Sequence, residues 1–206
     1  LRTYQRKCAE HDIRLPLARS MPDWLAAAIQ KHWPDDWIPI AEACNEKPPL
    51  TLRVNNRKCD ANSYLNWIRG LGLSGYQSQL SASAVSLTTP LPVHRIPGFR
   101  EGHVSIQDSG AQLVPYFTGD LSGRTVLDAC ASPGGKTCQL LESASAPLSI
   151  TSLDLPHRTK KIKENLARLG LKANVIAGDA THPQEWWDNN PFDCIIIDAP
   201  CSATGV

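Results

Sequence analysis

The stretch TVLDACASPGGKTCQLL, residues 125–141, predicts a strand, a tight loop and the start of a helix in direct succession. Residues 125–129 form an apolar run suited to a buried strand, and residues 136–141 open a helix. Between them, residues 130–135 carry a proline and two adjacent glycines. Paired glycines let the backbone approach a ligand closely, and a helix N-terminus offers free N–H donors. The unit therefore predicts an α/β fold with a ligand site at the carboxyl end of this strand.

The loop does not match either of two familiar nucleotide-binding patterns. It lacks the Gly-x-Gly-x-x-Gly spacing of a dinucleotide site. Its end, Gly135-Lys136-Thr137, imitates a phosphate-binding P-loop, but that motif needs a glycine where Cys130 stands. These differences disfavour a nucleoside triphosphatase and leave an ordinary strand-to-helix turn as the alternative without a ligand.

Acidic residues follow three further apolar segments of the chain. Asp154 ends the predicted strand 148–153, Asp179 ends the predicted strand 173–178, and Asp198 follows residues 194–197. In nucleoside-binding α/β folds, an acid after the second strand accepts hydrogen bonds from ribose hydroxyls. A single acid of this kind is usually a solvated loop residue. Three beside one glycine loop suggest that a ribose, an adenine amine and a reacting group are held along one edge.

The last of these acids opens the segment 198–205, DAPCSATG, which also contains the thiol of Cys201. An acid at the mouth of a buried strand can hydrogen-bond the edge of a base. A thiol there can add covalently to an electron-poor ring. The alternative is a polar strand exit with a structural cysteine, because cysteine is often simply buried.

Three segments of the chain together resemble the signature motifs of the Sun/Fmu (RsmB) family: residues 130–137, 178–180 and 198–206. These are S-adenosylmethionine-dependent RNA cytosine-5 methyltransferases, and this type of member acts on small-subunit ribosomal RNA. The resemblance covers nearly the whole chain, because it extends through four upstream segments: residues 20–25, 48–55, 92–99 and 104–108.

The resemblance implies an α/β fold with a Rossmann-like S-adenosylmethionine-dependent methyltransferase core, incomplete at its C-terminal side. A small α+β RNA-recognition-like domain and a helical linker precede that core. We expect the linker at residues 1–47, the small domain at residues 48–95 and the truncated catalytic domain at residues 96–206.

Local patterns predict three elements inside the small domain: a strand at 50–55, a helix at 61–70 and a strand around 84–87. The strand centres lack obvious exposed aromatic residues, which argues against independent RNA binding by this domain. In the catalytic domain, residues 158–169 carry apolar positions spaced for one buried helix face, and Gly170 suits the helix end.

The resemblance also implies the chemistry. Carbon 5 of cytosine is a weak nucleophile, so a cysteine thiolate must first add to carbon 6. In the RNA family this cysteine belongs to a Thr-Cys-Ser motif on a later strand, and the thiol of the Pro-Cys pair, here Cys201, helps release the product. The sequence stops at Val206, so the main nucleophile is expected beyond it. We therefore expect a fragment that also lacks the upstream RNA-binding domain, with an open sheet edge and little activity.

The family's residue roles transfer to matching positions of this chain. Asp154 is expected to hold the ribose hydroxyls, and Asp179 to lie by the adenine. Asp198 is expected at the cofactor edge and at the cytosine's amino group or protonated ring nitrogen. The sequence leaves two contacts open for Lys136: the cofactor or a target phosphate. The loop expected to wrap the methionine and sugar portions consists of Cys130, Ala131, Ser132, Pro133, Gly134, Gly135 and Lys136.

Composition agrees with these expectations without deciding among them. The chain has 206 residues, 42% of them hydrophobic, and a formal net charge of +1, so no general basicity indicates nucleic acid. Residues 154–172 are locally basic, which fits an RNA contact, although a solvated helix face is the commoner explanation. We expect small-subunit ribosomal RNA as the partner and a monomer when the protein is intact.

The seven cysteines show no Cys-x-x-Cys spacing, which argues against a zinc site and a disulfide framework and fits a reducing cytoplasm. No signal peptide or membrane span is visible, because the apolar runs are too short. The sequence thus predicts a cytoplasmic protein without metal or membrane contact.

Two rival functions remain at this stage. The first is a methyltransferase of the same fold that modifies an amino nitrogen, which would need Asp or Asn, then Pro, Pro and an aromatic residue. Ala199 and Cys201 argue against it, because neither supplies the stacking ring. The second is a non-catalytic RNA-binding or ribosome-assembly module built on a methyltransferase fold.

Overall fold

The computed structural model describes residues 21–46 and 48–200 of the chain. The described residues divide into two compact units, one that ends at Pro48 and one of residues Pro49–Pro200. The described part of the first unit holds helix α1 (Asp23–His32) and helix α2 (Trp37–Ala43). Asp23 in the first turn of α1 and Lys31 in its last turn complement the helix dipole.

The second unit begins with a four-stranded antiparallel sheet in the order β2-β3-β1-β4. Its elements are β1 (Leu50–Val54), helix α3 (Ala61–Gly70), β2 (Gly75–Gln77), β3 (Ala84–Leu87) and β4 (Val104–Ile106). The predicted strand at 50–55 is confirmed to within one residue, and the helix at 61–70 and the strand at 84–87 are confirmed. Asp60 starts α3 by accepting a hydrogen bond of 2.8 Å from the Ser63 amide.

The two faces of this sheet differ in polarity, but both are buried. Leu52 and Val54 pack with α3 in an apolar cluster. The opposite face carries polar side chains that are at most 9% exposed: Thr51, Arg53, Ser86 and Ser105. Because this face is buried as well, the residues along its strands do not alternate between buried and solvent-facing positions. The centre of the sheet is therefore not available for stacking against nucleic-acid bases.

Two strands of this sheet were not predicted. β4 pairs with β1 through Leu52↔Ile106 and Val54↔Val104, so the first sheet takes a strand from beyond the predicted boundary at residue 95. β2 carries Tyr76, 54% exposed at the centre of an edge strand. The expectation that strand centres lack an exposed aromatic residue is therefore wrong for β2. Both strands have only three residues, too few for a periodic signal.

The second sheet is parallel, in the order β7-β6-β5-β8. Its strands are β5 (Thr125–Ala129), β6 (Ser149–Asp154), β7 (Asn174–Ala177) and β8 (Cys194–Ile197), and a short helix α4 (Val114–Thr118) precedes β5. Helices α5 (Gly135–Ser143) and α6 (Thr159–Leu169) cover one face. The strand order reverses at β5, which is where open α/β sheets bind ligands.

Helix α5 lies between the two sheets. On one side, Thr137 contacts Asp128 and Ser152 of the parallel sheet. On the other side, Glu142 contacts Arg53 of the antiparallel sheet. The helix is therefore buried on nearly all sides, including its polar residues.

Within the described residues, β8 pairs with β5 and has no strand on its other side. Ile195 and Ile197 point to the face that α5 and α6 do not cover, and they are 56% and 69% exposed. None of the helices in residues 21–46 and 48–200 has the length and apolar character needed to cross a bilayer.

Candidate functional site

The predicted site residues gather at the carboxyl edge of the parallel sheet. Ala129 is in register with both Leu153 and Ile197, and Asp154 is in register with Ala177. The neighbouring strands thus end at the same level. The three acids predicted at the strand ends, Asp154, Asp179 and Asp198, consequently follow the strands at one edge.

The glycine loop between β5 and α5 has a constrained backbone. Cys130 has a φ of 60° and Gly134 a φ of 93°, both in the left-handed region. A non-glycine residue there costs roughly 1 kcal/mol, whereas glycine adopts the conformation freely. The amide of Ala131 donates to the Leu153 carbonyl at 3.0 Å, and the amide of Gly134 donates to the Ala131 carbonyl at 2.6 Å. The loop is thereby closed on itself and attached to β6.

Asp154 fastens the loop from the end of β6. Its side chain is 3% exposed and accepts hydrogen bonds from the amides of Ser132 at 2.7 Å and Leu155 at 2.8 Å. Nε of Arg158 lies 3.4 Å from Oδ1 of Asp154. A carboxylate offers about four acceptor positions. Asp154 thus supports the loop and retains a position for one more donor.

Lys136, at the start of α5, forms an ion pair with Asp198, beyond β8. The side chains are 21% and 60% exposed, so the pair lies at the surface of the site and contributes little to stability. The contact joins the loop to the segment that follows β8.

Asp179 builds a turn of its own. It accepts from the Thr181 amide at 2.9 Å and from the Thr181 hydroxyl at 2.7 Å, and these bonds hold the pKa of its carboxyl below the usual range. The Trp186 indole donates to the Asp179 carbonyl at 2.8 Å. In the described structure Asp179 forms no hydrogen bond or ion pair with the loop or with the other two acids.

The sequence interpretation missed Asp128, the last residue but one of β5. It has no exposed surface, and burial raises the pKa of its carboxyl despite a hydrogen bond of 2.5 Å from the Thr137 hydroxyl. Within the described residues its Oδ1 atom has no hydrogen-bond partner. An acid inside a strand directly before a glycine loop was the available signal, because a buried charge is costly unless it is paired and hydrogen-bonded.

The loop leaves room for a ligand. Apart from its chain neighbours and the backbone of its own helix, no described atom lies within 4 Å of the position that a Cβ would take at Gly135. Polar partners of both kinds lie here: N–H donors at the start of α5 and acids along the edge. The arrangement fits a small ligand with both hydrogen-bond donors and acceptors.

The described cysteines near the loop are not activated nucleophiles. Burial raises the pKa of the Cys130 thiol, and it raises that of Cys138 to about 12. Cys194 lies within β8. The thiolate is the reactive form, so neither Cys130 nor Cys138 is primed for attack. Cys201 lies outside the described residues, which also contain no group of three or more metal-ligating side chains.

Two family models match the chain. One, described as an RsmF/B-like methyltransferase ferredoxin-like domain, matches residues 21–94. The other, described as 16S rRNA methyltransferase RsmB/F, matches residues 120–206. Both domains thus belong to proteins of one family.

Curated relatives include ribosomal RNA small subunit methyltransferase B from Pseudomonas syringae pathovar tomato, 43% identical over 199 residues. The same-named protein from Klebsiella pneumoniae is 41% identical over 214 aligned positions. The alignments cover 96% and 100% of this chain, but 44% and 48% of the two relatives. The chain therefore spans about half the length of the relatives that it matches.

Solved structures agree on the fold. A methyltransferase homolog protein from Pyrococcus horikoshii aligns with a TM-score of 0.76 at 28% identity, covering 88% of this chain and 60% of that one. NSun6 from the same organism, solved with SFG, aligns with a TM-score of 0.77 at 16% identity, covering 87% and 71%. A Rossmann-like methyltransferase core preceded by a ferredoxin-like domain is thus the fold of this chain.

Proposed function

Because this chain belongs to the RsmB/F family of 16S rRNA methyltransferases, we propose that it forms the cofactor-binding part of an RNA cytosine-5 methyltransferase. The methyl group would come from S-adenosylmethionine and go to carbon 5 of a cytosine in small-subunit ribosomal RNA. The observation that supports this most is the glycine loop at the carboxyl edge of the parallel sheet, with open space at Gly135.

The chain's own residues would hold the cofactor along the carboxyl edge. Residues 130–136 would enclose its methionine and sugar portions, and the remaining acceptor position of Asp154 suits a ribose hydroxyl. Asp179 would lie by the adenine at the end of β7. When bound, S-adenosylmethionine supplies a methyl carbon made electrophilic by the sulfonium.

The target cytosine would enter at the end of β8 after leaving its stack. Asp198 would accept a hydrogen bond from the base's amino group or protonated ring nitrogen. Lys136 beside it could meet either the cofactor's carboxylate or an RNA phosphate. Cys201 would act as the release thiol, and the main nucleophile is proposed to lie beyond Val206. We place the enzyme in the cytoplasm as a monomer with ribosomal RNA as its partner.

Calorimetric titration with S-adenosylhomocysteine tests the cofactor site, because the chain offers two matched glycines. Gly135 and Gly70 both lack close neighbours at the Cβ position and neither has a positive φ, so alanine fits the fold at both. We expect Gly135→Ala to weaken binding about tenfold, or about 1.4 kcal/mol, because its methyl group enters the ligand space. Gly70→Ala lies at the end of α3, and its affinity should equal that of the unchanged protein.

The titration is made on this chain and on the complete product of its gene, with circular dichroism to confirm folding. Absence of binding in both would contradict the cofactor assignment. Binding without methyl transfer to small-subunit ribosomal RNA by the complete product would favour the non-catalytic RNA-binding module. Transfer to an amino nitrogen, read by mass spectrometry of the digested RNA, would contradict the cytosine-5 assignment.

A further inference from the structure

We infer that Arg53, on β1 of the ferredoxin-like domain, is a positioning residue for the glycine loop and thereby sets the cofactor affinity. The inference rests on the proposed function, because it takes residues 130–136 as the cofactor loop. It gives the ferredoxin-like domain a role in cofactor binding through a contact between residues far apart in sequence.

The guanidinium of Arg53 reaches the loop directly. Its side chain is 2% exposed, and Nη1 donates to the Gly135 carbonyl at 2.8 Å. Nη1 also donates to Oε1 of Gln107. Nε and Nη2 donate to the two carboxylate oxygens of Glu142 at 3.0 and 3.1 Å. This two-point pairing with Glu142 fixes the plane of the guanidinium, so its position relative to Gly135 is defined.

The glycine loop is also held from β4 through α6. Asn165 donates to the Pro133 carbonyl at 2.9 Å, and Arg168 donates to Asn165 Oδ1 at 3.2 Å. Arg168 in turn donates to the Val104 carbonyl at 3.0 Å and to the Ser105 hydroxyl at 2.9 Å, both in β4. Two loop carbonyls are thus tied to two strands of the same antiparallel sheet.

Stability alone does not account for Arg53. A buried Arg–Glu pair can often be replaced by apolar residues of similar volume without loss of stability. Apolar residues cannot replace the donor to the Gly135 carbonyl, which belongs to the residue that faces the open ligand space. That single contact connects β1 to the geometry of the ligand site.

Two sets of variants separate positioning from stability when S-adenosylhomocysteine affinity and thermal midpoint are both measured. Glu142→Gln removes the charge of the partner and is expected to lower the thermal midpoint, but its amide oxygen still accepts one hydrogen bond from Arg53. The donor to Gly135 is then retained, so the affinity should stay within about twofold. The double variant Arg53→Met with Glu142→Met removes the donor and leaves no unpaired charge. We expect it to fold and to bind about tenfold more weakly.

Val85→Ala is the control for stability, because Val85 is fully buried in the same sheet and packs on its α3 side. It should lower the thermal midpoint and leave the affinity unchanged. Arg53→Lys, which keeps a donor of nearly the same reach, should restore part of the affinity when compared with Arg53→Met.

The inference is overturned if the double variant binds as well as the unchanged protein, or if Glu142→Gln loses as much affinity as the double variant. Failure of both the unchanged chain and the complete gene product to bind would instead count against the proposed function. The two failures are therefore distinguishable in one series of titrations.

Discussion

Asp128 lies within β5 with no exposed surface, and among the residues that the structure describes only one of its two carboxyl oxygens has a hydrogen-bond partner, Thr137. Burial raises its pKa above the ordinary value of 3.8. A carboxyl whose pKa is higher in the folded than in the unfolded state stabilises the fold fully below the unfolded value. That stabilisation is lost as the pH rises through the folded value.

Asp128→Asn should therefore raise the free energy of unfolding near neutral pH, because it removes the buried charge while keeping an acceptor for Thr137. The gain should shrink as the pH falls through the raised pKa of Asp128, because its carboxyl is then neutral as well. Urea unfolding at several pH values measures both. Asp120→Asn is the control and should lower the free energy of unfolding near neutral pH, since hydrogen bonds from Ser122 and Ser145 lower the pKa of Asp120. Equal gains at all pH values for Asp128→Asn would contradict the expectation.

At the scale of single elements, β8 is the exposed strand of the parallel sheet. Its Cys194 and Ile196 pack inward, whereas Ile195 and Ile197 are more than half exposed. Within the described residues the strand is hydrogen-bonded on one side only. An open apolar edge of this kind promotes association between chains.

We expect this chain to associate with itself as its concentration rises, and Ile195→Lys with Ile197→Lys to reduce that association. Lysine at an edge strand opposes pairing with another strand through charge repulsion. Sedimentation velocity over a concentration series measures the effect. Leu71→Lys changes an apolar side chain of similar exposure, 57%, beyond the end of α3 and should leave the association unchanged. Equal effects of the two changes would argue against β8 as the contact.

At the scale of the whole second unit, the pair Arg53–Glu142 joins the antiparallel sheet to the helix that packs on the parallel one. Both side chains are at most 5% exposed. Removing one partner of a buried pair leaves an unpaired buried charge, which costs about 3–5 kcal/mol. Removing both partners together leaves no such charge.

Arg53→Met alone should therefore lower the free energy of unfolding by about 3–5 kcal/mol, and the double change to methionine at residues 53 and 142 by much less. Urea unfolding followed by tryptophan fluorescence and by circular dichroism measures the cycle. Equal losses in the single and the double variant would show that the charge left behind is not the cause. Coincident transitions by the two probes would show that the two sheets unfold together.

Several elements were predictable because their signals lie within neighbouring residues. Helix α6 follows from the spacing of Ile162, Leu166 and Leu169 and from Gly170, which takes the left-handed conformation at the helix end. The strand, glycine loop and helix of residues 125–141 follow from an apolar run, paired glycines and a helical start. The acids at the strand ends follow from the same local reasoning, since parallel strands align their carboxyl ends.

Other features depend on residues that meet only in the folded chain. The three-residue strands β2 and β4 exist because β3 and β1 supply their hydrogen-bond partners. Lys136 meets Asp198 across the ends of two strands, and Arg53 meets Gly135 across two sheets. The missing partner of Asp128 Oδ1 likewise becomes visible only once every neighbour is placed.

The sequence by itself thus determined the local elements, the glycine loop and the edge at which the acids lie. Tertiary structure alone decided the strand order, the burial of the polar sheet face and the side-chain pairs that hold the loop. The physical reason is the distance along the sequence over which each effect acts. Backbone propensity and side-chain periodicity act over a few residues, whereas strand pairing and the satisfaction of buried polar groups depend on which distant residues packing brings together.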